Sequence, residues 1–214
     1  MASSRIPDRK TAGSGPGRKT ALRSLTPLLV AATVVMPALG SVPAAAYRVK
    51  SLYTTIDLKR CKKVRRHHDG NAWRCEGLDG LPVYFAEGDL RQFVSVGTNA
   101  EKRRAATQTL GAFNSIFEKG SSRATIEWRF DRRGERKLPY AIIVRFHTSR
   151  DGARGDVLVV SKVSATEACH VAYVDALANK DAIALARQVA DKEAKGFDCR
   201  REPRTEGATG NSPM

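Results

Sequence analysis

Ala168-Cys169-His170-Val171-Ala172-Tyr173-Val174-Asp175, followed by Ala176-Leu177-Ala178-Asn179 and a run from Asp181 to Cys199, is the stretch whose reading decides the fold. The first part is a short apolar segment of strand character. In the second, Ile183, Ala186, Ala190 and Ala194 recur at spacings of three and four, with Val189 at their border. That spacing puts them on one face of a 3.6-residue period and predicts a helix over 181–195. Asn179 stands where an N-cap is expected, and Asp181 lies in the first turn, where a carboxylate suits the helix dipole. Lys192, Lys195 and Gly196 mark the stop. A cysteine at each end, Cys169 and Cys199, makes the unit a strand and a helix tied by a disulfide.

Upstream, the chain reads as a succession of strands joined by turns. Trp73-Arg74-Cys75 returns from an Asp69-Gly70 turn, and Leu81 to Ala86 and Leu90 to Val96 follow as strands, with Pro82 at an early or edge position. Leu110, Phe113, Ile116 and Phe117 fall at helical spacing in an otherwise irregular segment, 99–119, which suits a short helix or an ordered loop. Thr125-Ile-Glu-Trp-Arg-Phe-Asp131 alternates cleanly, with Ile126, Trp128 and Phe130 facing in and Glu127 and Arg129 facing out. Pro139 to Phe146 is apolar on both faces and belongs near the centre of a sheet, and Asp156 to Val163 is another apolar strand. Short turns imply antiparallel neighbours, so the fold class is α+β: a mostly antiparallel sheet of six to seven strands with the C-terminal helix packed on it.

Residues 1–46 read as a signal peptide. Six basic residues, from Arg5 to Arg23, precede the apolar run Leu25–Leu39, and small-residue cleavage sites lie near 40 and 46. Pro27 and Pro37 and the length of the run disfavour a spanning helix, although an uncleaved anchor is the alternative. Residues 47–200 then form a single exported domain, and 201–214, rich in Pro, Gly, Ser and Thr without an apolar pattern, is expected to be a disordered tail. The whole chain carries +15, and residues 47–214 retain +10 from 31 Lys+Arg against 21 Asp+Glu.

Four cysteines, Cys61, Cys75, Cys169 and Cys199, allow three pairings. Cys61–Cys75 with Cys169–Cys199 is preferred, because the first closes a short hairpin and the second clasps the strand–helix unit. Export favours oxidation over a zinc site built from Cys61, His67, His68 and Cys75, whose spacing is not that of a zinc knuckle. No cofactor or metal is expected.

The densest positive run is Lys59-Arg60-Cys61-Lys62-Lys63-Val64-Arg65-Arg66. With Trp73 beside them, Lys59, Arg60, Lys62, Lys63, Arg65 and Arg66 are the candidate anion-binding residues, joining charge to an aromatic surface. The same residues suit a solvated hairpin tip. The partners implied are an anionic envelope polymer, an anionic lipid surface or a protein, rather than nucleic acid, met by a monomer.

Catalytic signatures are absent: no Gly-x-Ser-x-Gly, no His-Glu-x-x-His, no phosphate-cradling loop. No catalytic residue is assigned. Strict alternation puts His170 with Ala172 and Val174, and Asp175 on the opposite face, so that pair does not converge. His147 joins a site only if two strands align. Ser95 and Ser161 lack a recognisable partner, and Glu87, Asp89, Glu127 and Asp131 read as turn and surface acids. Arg91, Glu127 and Arg129 project from neighbouring strands as structural ion pairs.

Trp73-Arg-Cys-Glu-Gly77, Glu87-Gly-Asp-Leu-Arg91 with Val94-Ser-Val-Gly97, Ile126-Glu-Trp-Arg129, and Cys169 to Asp175 with Ala186-Arg-Gln-Val-Ala-Asp191 resemble a group of small exported proteins of rhizobial-type alphaproteobacteria. The resemblance spans most of 51–199. It implies an exported single domain and carries no activity or site. The expected function is a non-catalytic binding or structural domain of the envelope, periplasmic or secreted, with a basic surface. The alternatives are an inhibitor of the periplasmic lysozyme-inhibitor kind, with the Glu87-Gly88-Asp89 loop as its inserting element, and a hydrolase with an unrecognised site.

Overall fold

A computed structural model describes residues 50–67, 70–133 and 135–214. The signal segment 1–46, the domain's first residues 47–49 and His68 lie outside the described residues, as does the side chain of Arg66.

Alternating and continuous apolar runs become eleven strands among the described residues. They are β1 (Lys50–Asp57), β2 (Lys62–His67), β3 (Gly70–Glu76), β4 (Pro82–Gly88), β5 (Arg91–Val96), β6 (Phe113–Ser115), β7 (Arg123–Arg133), β8 (Arg136–Arg150), β9 (Ala153–Val163), β10 (Ala168–Asp175) and β11 (Arg204–Glu206). One helix, α1, spans Ala182–Glu193 and ends in a 3₁₀ turn over Ala194–Gly196. The architecture is α+β, with the strands divided between two sheets. Seven strands run in the order β1-β7-β8-β9-β10-β11 with β6 also on β8, and four run β2-β3-β4-β5. The apolar strand over Pro139–Phe146 lies, as expected, at the middle of the larger sheet.

Side-chain alternation then builds three layers. Ile142, Val144 and Phe146 of β8 and Val157 and Val159 of β9 face the smaller sheet, where Phe85 and Val94 join them in one core with Trp128 of β7. Ala141, Ile143, Leu158 and Val160 face the other way and meet Ala186, Val189 and Ala190 of α1. The alanine stripe lets the helix backbone approach the sheet closely. The helix is pinned at its far end by Cys169–Cys199, and Cys61–Cys75 closes the first hairpin. Both expected pairings are present.

Three local expectations are narrowed or changed. Of the two alternatives for residues 99–119, the short helix gives way to the ordered loop: two 3₁₀ turns (Ala100–Lys102, Arg104–Ala106) and the short β6. Leu110, Ile116 and Phe117 are buried there, but Phe113 is exposed. Asn179 does not cap α1. Its amide donates to the carbonyls of Asp175 and Ala208 and accepts from Ala208 N–H.

The third correction is the tail. Residues 201–214 are not disordered: β11 pairs parallel with β10, and Ser212 is buried. Asp175, fully buried, accepts from Ser212 N–H and Oγ at 2.8 and 2.6 Å, from Asn211 N–H at 2.9 Å, and from Leu177 and Ala178 N–H. A carboxylate with five donors needs no cation, and those bonds hold its pKa below the ordinary value. Gly155 makes the approach possible, since a Cβ there would lie 2.5 Å from Ser212. Backbone donors on a buried acid leave no hydrophobic period, so composition alone reads as disorder.

Candidate functional site

Charge beneath α1, on the helix side of the larger sheet, is paired. On β7, Glu127 and Arg129 do face away from Ile126 and Trp128, but α1 covers them and both are buried. Arg129 makes a bidentate pair with Asp191 of the helix at 2.9 and 2.7 Å, and Tyr140 donates to the same carboxylate at 2.7 Å. Glu127 takes a bidentate pair from Arg187 at 2.7 and 3.1 Å and a hydrogen bond from Ser51. Burial and the Asp191 charge push the Tyr140 phenol above its usual range. Both arginines stay cationic, Arg129 held up chiefly by its bond to Asp191 against desolvation, Arg187 by its bond to Glu127. This network fastens helix to sheet. Arg91 takes no part in it, binding Asp89 and the Gly111 carbonyl instead.

His170 is buried by a route alternation could not show. β10 pairs His170 with Ser161 but Ala172 with Val160, so one extra residue, Val171, bulges and the facing reverses. His170 therefore shares a side with Tyr173, and its Nδ1 lies 3.0 Å from the Tyr173 hydroxyl. Desolvation, reinforced by the nearby Arg104 charge, lowers its pKa to about 3, and burial raises that of Tyr173 to about 12. A neutral, fully buried imidazole and a protonated, partly buried phenol form a hydrogen bond at the edge of the core.

The first hairpin is different. Lys59, Arg60, Lys62, Lys63 and Arg65 are all exposed, on the turn before β2 and on β2 itself, the outer strand of the smaller sheet. None of them has a carboxylate within salt-bridge distance among the described residues. Lys63 Nζ lies 5.0 Å from the centroid of the Trp73 ring, and Trp73, half-buried, packs on Phe85 with centroids 5.3 Å apart. The indole is thus a wall beneath the lysine rather than an open stacking platform. A register shift between Lys63 and Arg65 bulges the strand. Lysines and a bulge on an edge also discourage pairing with another chain.

One constellation escaped the sequence reading. Ser115, His147 and Asp156 stand directly opposite one another across β6, β8 and β9. Directly paired residues share a face, and here it is the helix-side face, beyond the helix's reach. His147 Nδ1 lies 2.6 Å from Asp156 Oδ1, and Arg145 pairs with the other oxygen at 3.4 Å. The signal was present. Asp151-Gly152 is a two-residue turn with both φ positive, and counting outward from its flanking pair Arg150–Ala153 lands His147 on Asp156. The row repeats the residue types of a serine hydrolase, but Ser115 Oγ bonds Phe117 N–H and C=O, each at 2.9 Å. No hydrogen bond joins it to His147, and the nucleophile–base link of acyl transfer is missing. His170 projects from the opposite face, so the two histidines do not converge.

Among the described residues, no group of three metal-ligating side chains clusters, and no helix is long and apolar enough to cross a membrane. Two disulfides with no free cysteine are the mark of an oxidising, non-cytoplasmic compartment. The chain matches no protein-family model, no curated protein and no solved structure, so its chemistry is read from these side chains alone.

Proposed function

We propose that this is a non-catalytic domain exported to the periplasm or beyond, which holds an anionic polymer of the envelope against the turn and edge strand formed by Lys59, Arg60, Lys62, Lys63 and Arg65. The observation that carries this reading is the concentration of unpaired charge. Elsewhere, cations without a carboxylate partner, such as Lys119 and Arg154, lie among paired ones such as Arg74–Glu101, Arg104–Glu202, Lys137–Asp79, Lys162–Glu167 and Lys195–Asp131. Here five cations within seven residues of sequence reach no carboxylate among the described residues. Their mutual repulsion is relieved by a polyanion, whose own condensed counterions are released on binding.

The test is binding of long-chain polyphosphate by the domain from residue 47 onward, followed across a salt series. Affinity should fall steeply with salt. The double charge reversal K62E/R65E should lower it about tenfold or more at low ionic strength, with the slope against log[salt] reduced. Salt-insensitive binding, or a double variant indistinguishable from the parent, would remove the basis of the proposal.

A further inference from the structure

The helix-side face of the larger sheet is only half covered. Helix α1 shields Ala141, Ile143, Leu158 and Val160, but the same face continues outward through Arg145, His147 and Ser149 of β8, Arg154 and Asp156 of β9, and Phe113 and Ser115 of β6. There it lies open as a groove of about 950 Å³, walled by the 118–121 turn and Leu177 and ended by Leu90.

Two features distinguish it from an ordinary solvated face. Three of the domain's large exposed apolar side chains stand around it: Leu90 at 72% exposure, Leu177 at 52% and Phe113 at 44%. Convergence of such residues on one concavity marks a binding site more often than chance exposure does. Two of the three are also held in place. Leu90 follows Asp89 in a turn with φ of +58° and +49°, a backbone conformation that costs a leucine about 1 kcal/mol or more. Arg91 bonds Asp89 and the Gly111 carbonyl, and its guanidinium lies 5.4 Å from the Phe113 ring centroid. Strain kept at an exposed turn, with an apolar tip, is characteristic of recognition surfaces.

The floor between these apolar groups is polar, offering the Ser149 hydroxyl, the His147–Asp156 pair and the Arg154 guanidinium. An acyl chain would leave such groups unmatched. A sugar ring fits both parts: its C–H face lies on an aromatic or aliphatic side chain, and its hydroxyls reach donors and acceptors at the edge. Charge narrows the class. Asp156 is paired with Arg145 and hydrogen-bonded to His147. Among the described residues, Arg154 and Lys119 have no carboxylate partner, against one unpaired acid in the groove, Glu118.

We propose that this groove binds an acidic oligosaccharide, a chain of uronic-acid units whose carboxylates meet Arg154 and Lys119 while a ring lies on Phe113. The site is separate from the cationic edge strand and does not depend on it.

The experiment is calorimetric titration of the domain, in about 0.15 M salt, with galacturonic acid oligomers, neutral galactan oligomers of the same length, and polyphosphate. The acidic oligomer should bind and the neutral one should bind about tenfold more weakly. Phe113→Ala should weaken acidic binding about tenfold with the melting temperature unchanged, as expected for an exposed side chain. Arg154→Gln should erase the preference for the acidic oligomer, and K62E/R65E should leave it within about twofold. Absence of binding by either oligomer would overturn the proposal. So would a loss caused by K62E/R65E but not by Phe113→Ala, or competition by polyphosphate as strong as by the uronate oligomer, since each shows charge attraction without a sugar site. Failure of the edge-strand proposal shows in the polyphosphate series and leaves these sugar titrations untouched.

Discussion

Two charged regions of this domain follow opposite rules. Beneath α1, Glu127, Arg129, Asp191 and Arg187 form bidentate pairs closed by the hydroxyls of Tyr140 and Ser51. Along β2 and its preceding turn, Lys59, Arg60, Lys62, Lys63 and Arg65 face solvent with no acid opposite. The difference lies in the dielectric around each charge. A charge under a helix loses its water and is retained only with a partner and full hydrogen bonding. At an exposed edge, water and salt screen the repulsion at little cost to stability, and the unpaired charge is kept for encounter with something else. Buried charge is paired because the fold requires it, and a run of unpaired charge at the edge marks the candidate binding surface.

The sharpest way to break this comparison is to remove one member of the buried set. Arg129→Ala leaves Asp191 without its cation at the helix–sheet seam, while Glu127 keeps Arg187, and should cost about 3–5 kcal/mol by denaturant titration. A loss below about 1 kcal/mol would mean that the network behaves like a surface ion pair. The clasp comes next. Replacing both Cys169 and Cys199 by alanine opens a loop of 30 residues, which the chain-entropy model puts at about 3–4 kcal/mol; the midpoint of unfolding should fall accordingly.

His170 sharpens the contrast from a third side, because it is a buried titratable group given no acid to pair with. Its folded pKa, about 3, lies below the ordinary 6.5. Between those values the unfolded chain binds a proton that the folded one does not. Stability from this group is complete above pH 6.5 and is lost as pH falls, by about 1.4 kcal/mol per pH unit through that window. Acid denaturation of the parent should carry this slope and His170→Gln should lack it; equal slopes would show that the imidazole takes up its proton inside the fold. The smallest effect belongs to the edge. K62E/R65E should change stability by no more than about 0.5 kcal/mol, read in the same titration, while altering polyphosphate binding. A large loss of stability would return those residues to a structural role.

The local patterns were legible because they depend on local physics. Alternation at Ile126, Trp128 and Phe130, the alanine stripe of α1 and the two cysteine spacings each belong to a single element or a short loop, and the structure has them as read. The bulge at Val171 was not legible, since one extra residue in a uniformly apolar strand leaves no mark in sequence. The tail was misread for a similar reason: its anchor is a set of backbone donors on Asp175, invisible to composition. The His147–Asp156 pair lies between these cases, encoded by the Asp151-Gly152 turn for anyone who counts outward from it.

By itself, then, the sequence determined the α+β class, the C-terminal helix, the disulfide pairs favoured by an oxidising compartment, and the cationic run at 59–66, all of which rest on residue type and near-neighbour spacing. Tertiary structure alone decided the division into two sheets, the burial of Glu127 and Arg129 under α1, the turning of His170 toward Tyr173, the capture of the tail, and the open half-face around His147. Those depend on which distant segments meet, and a meeting is set by packing and hydrogen-bond satisfaction across the whole domain, which no window of sequence contains.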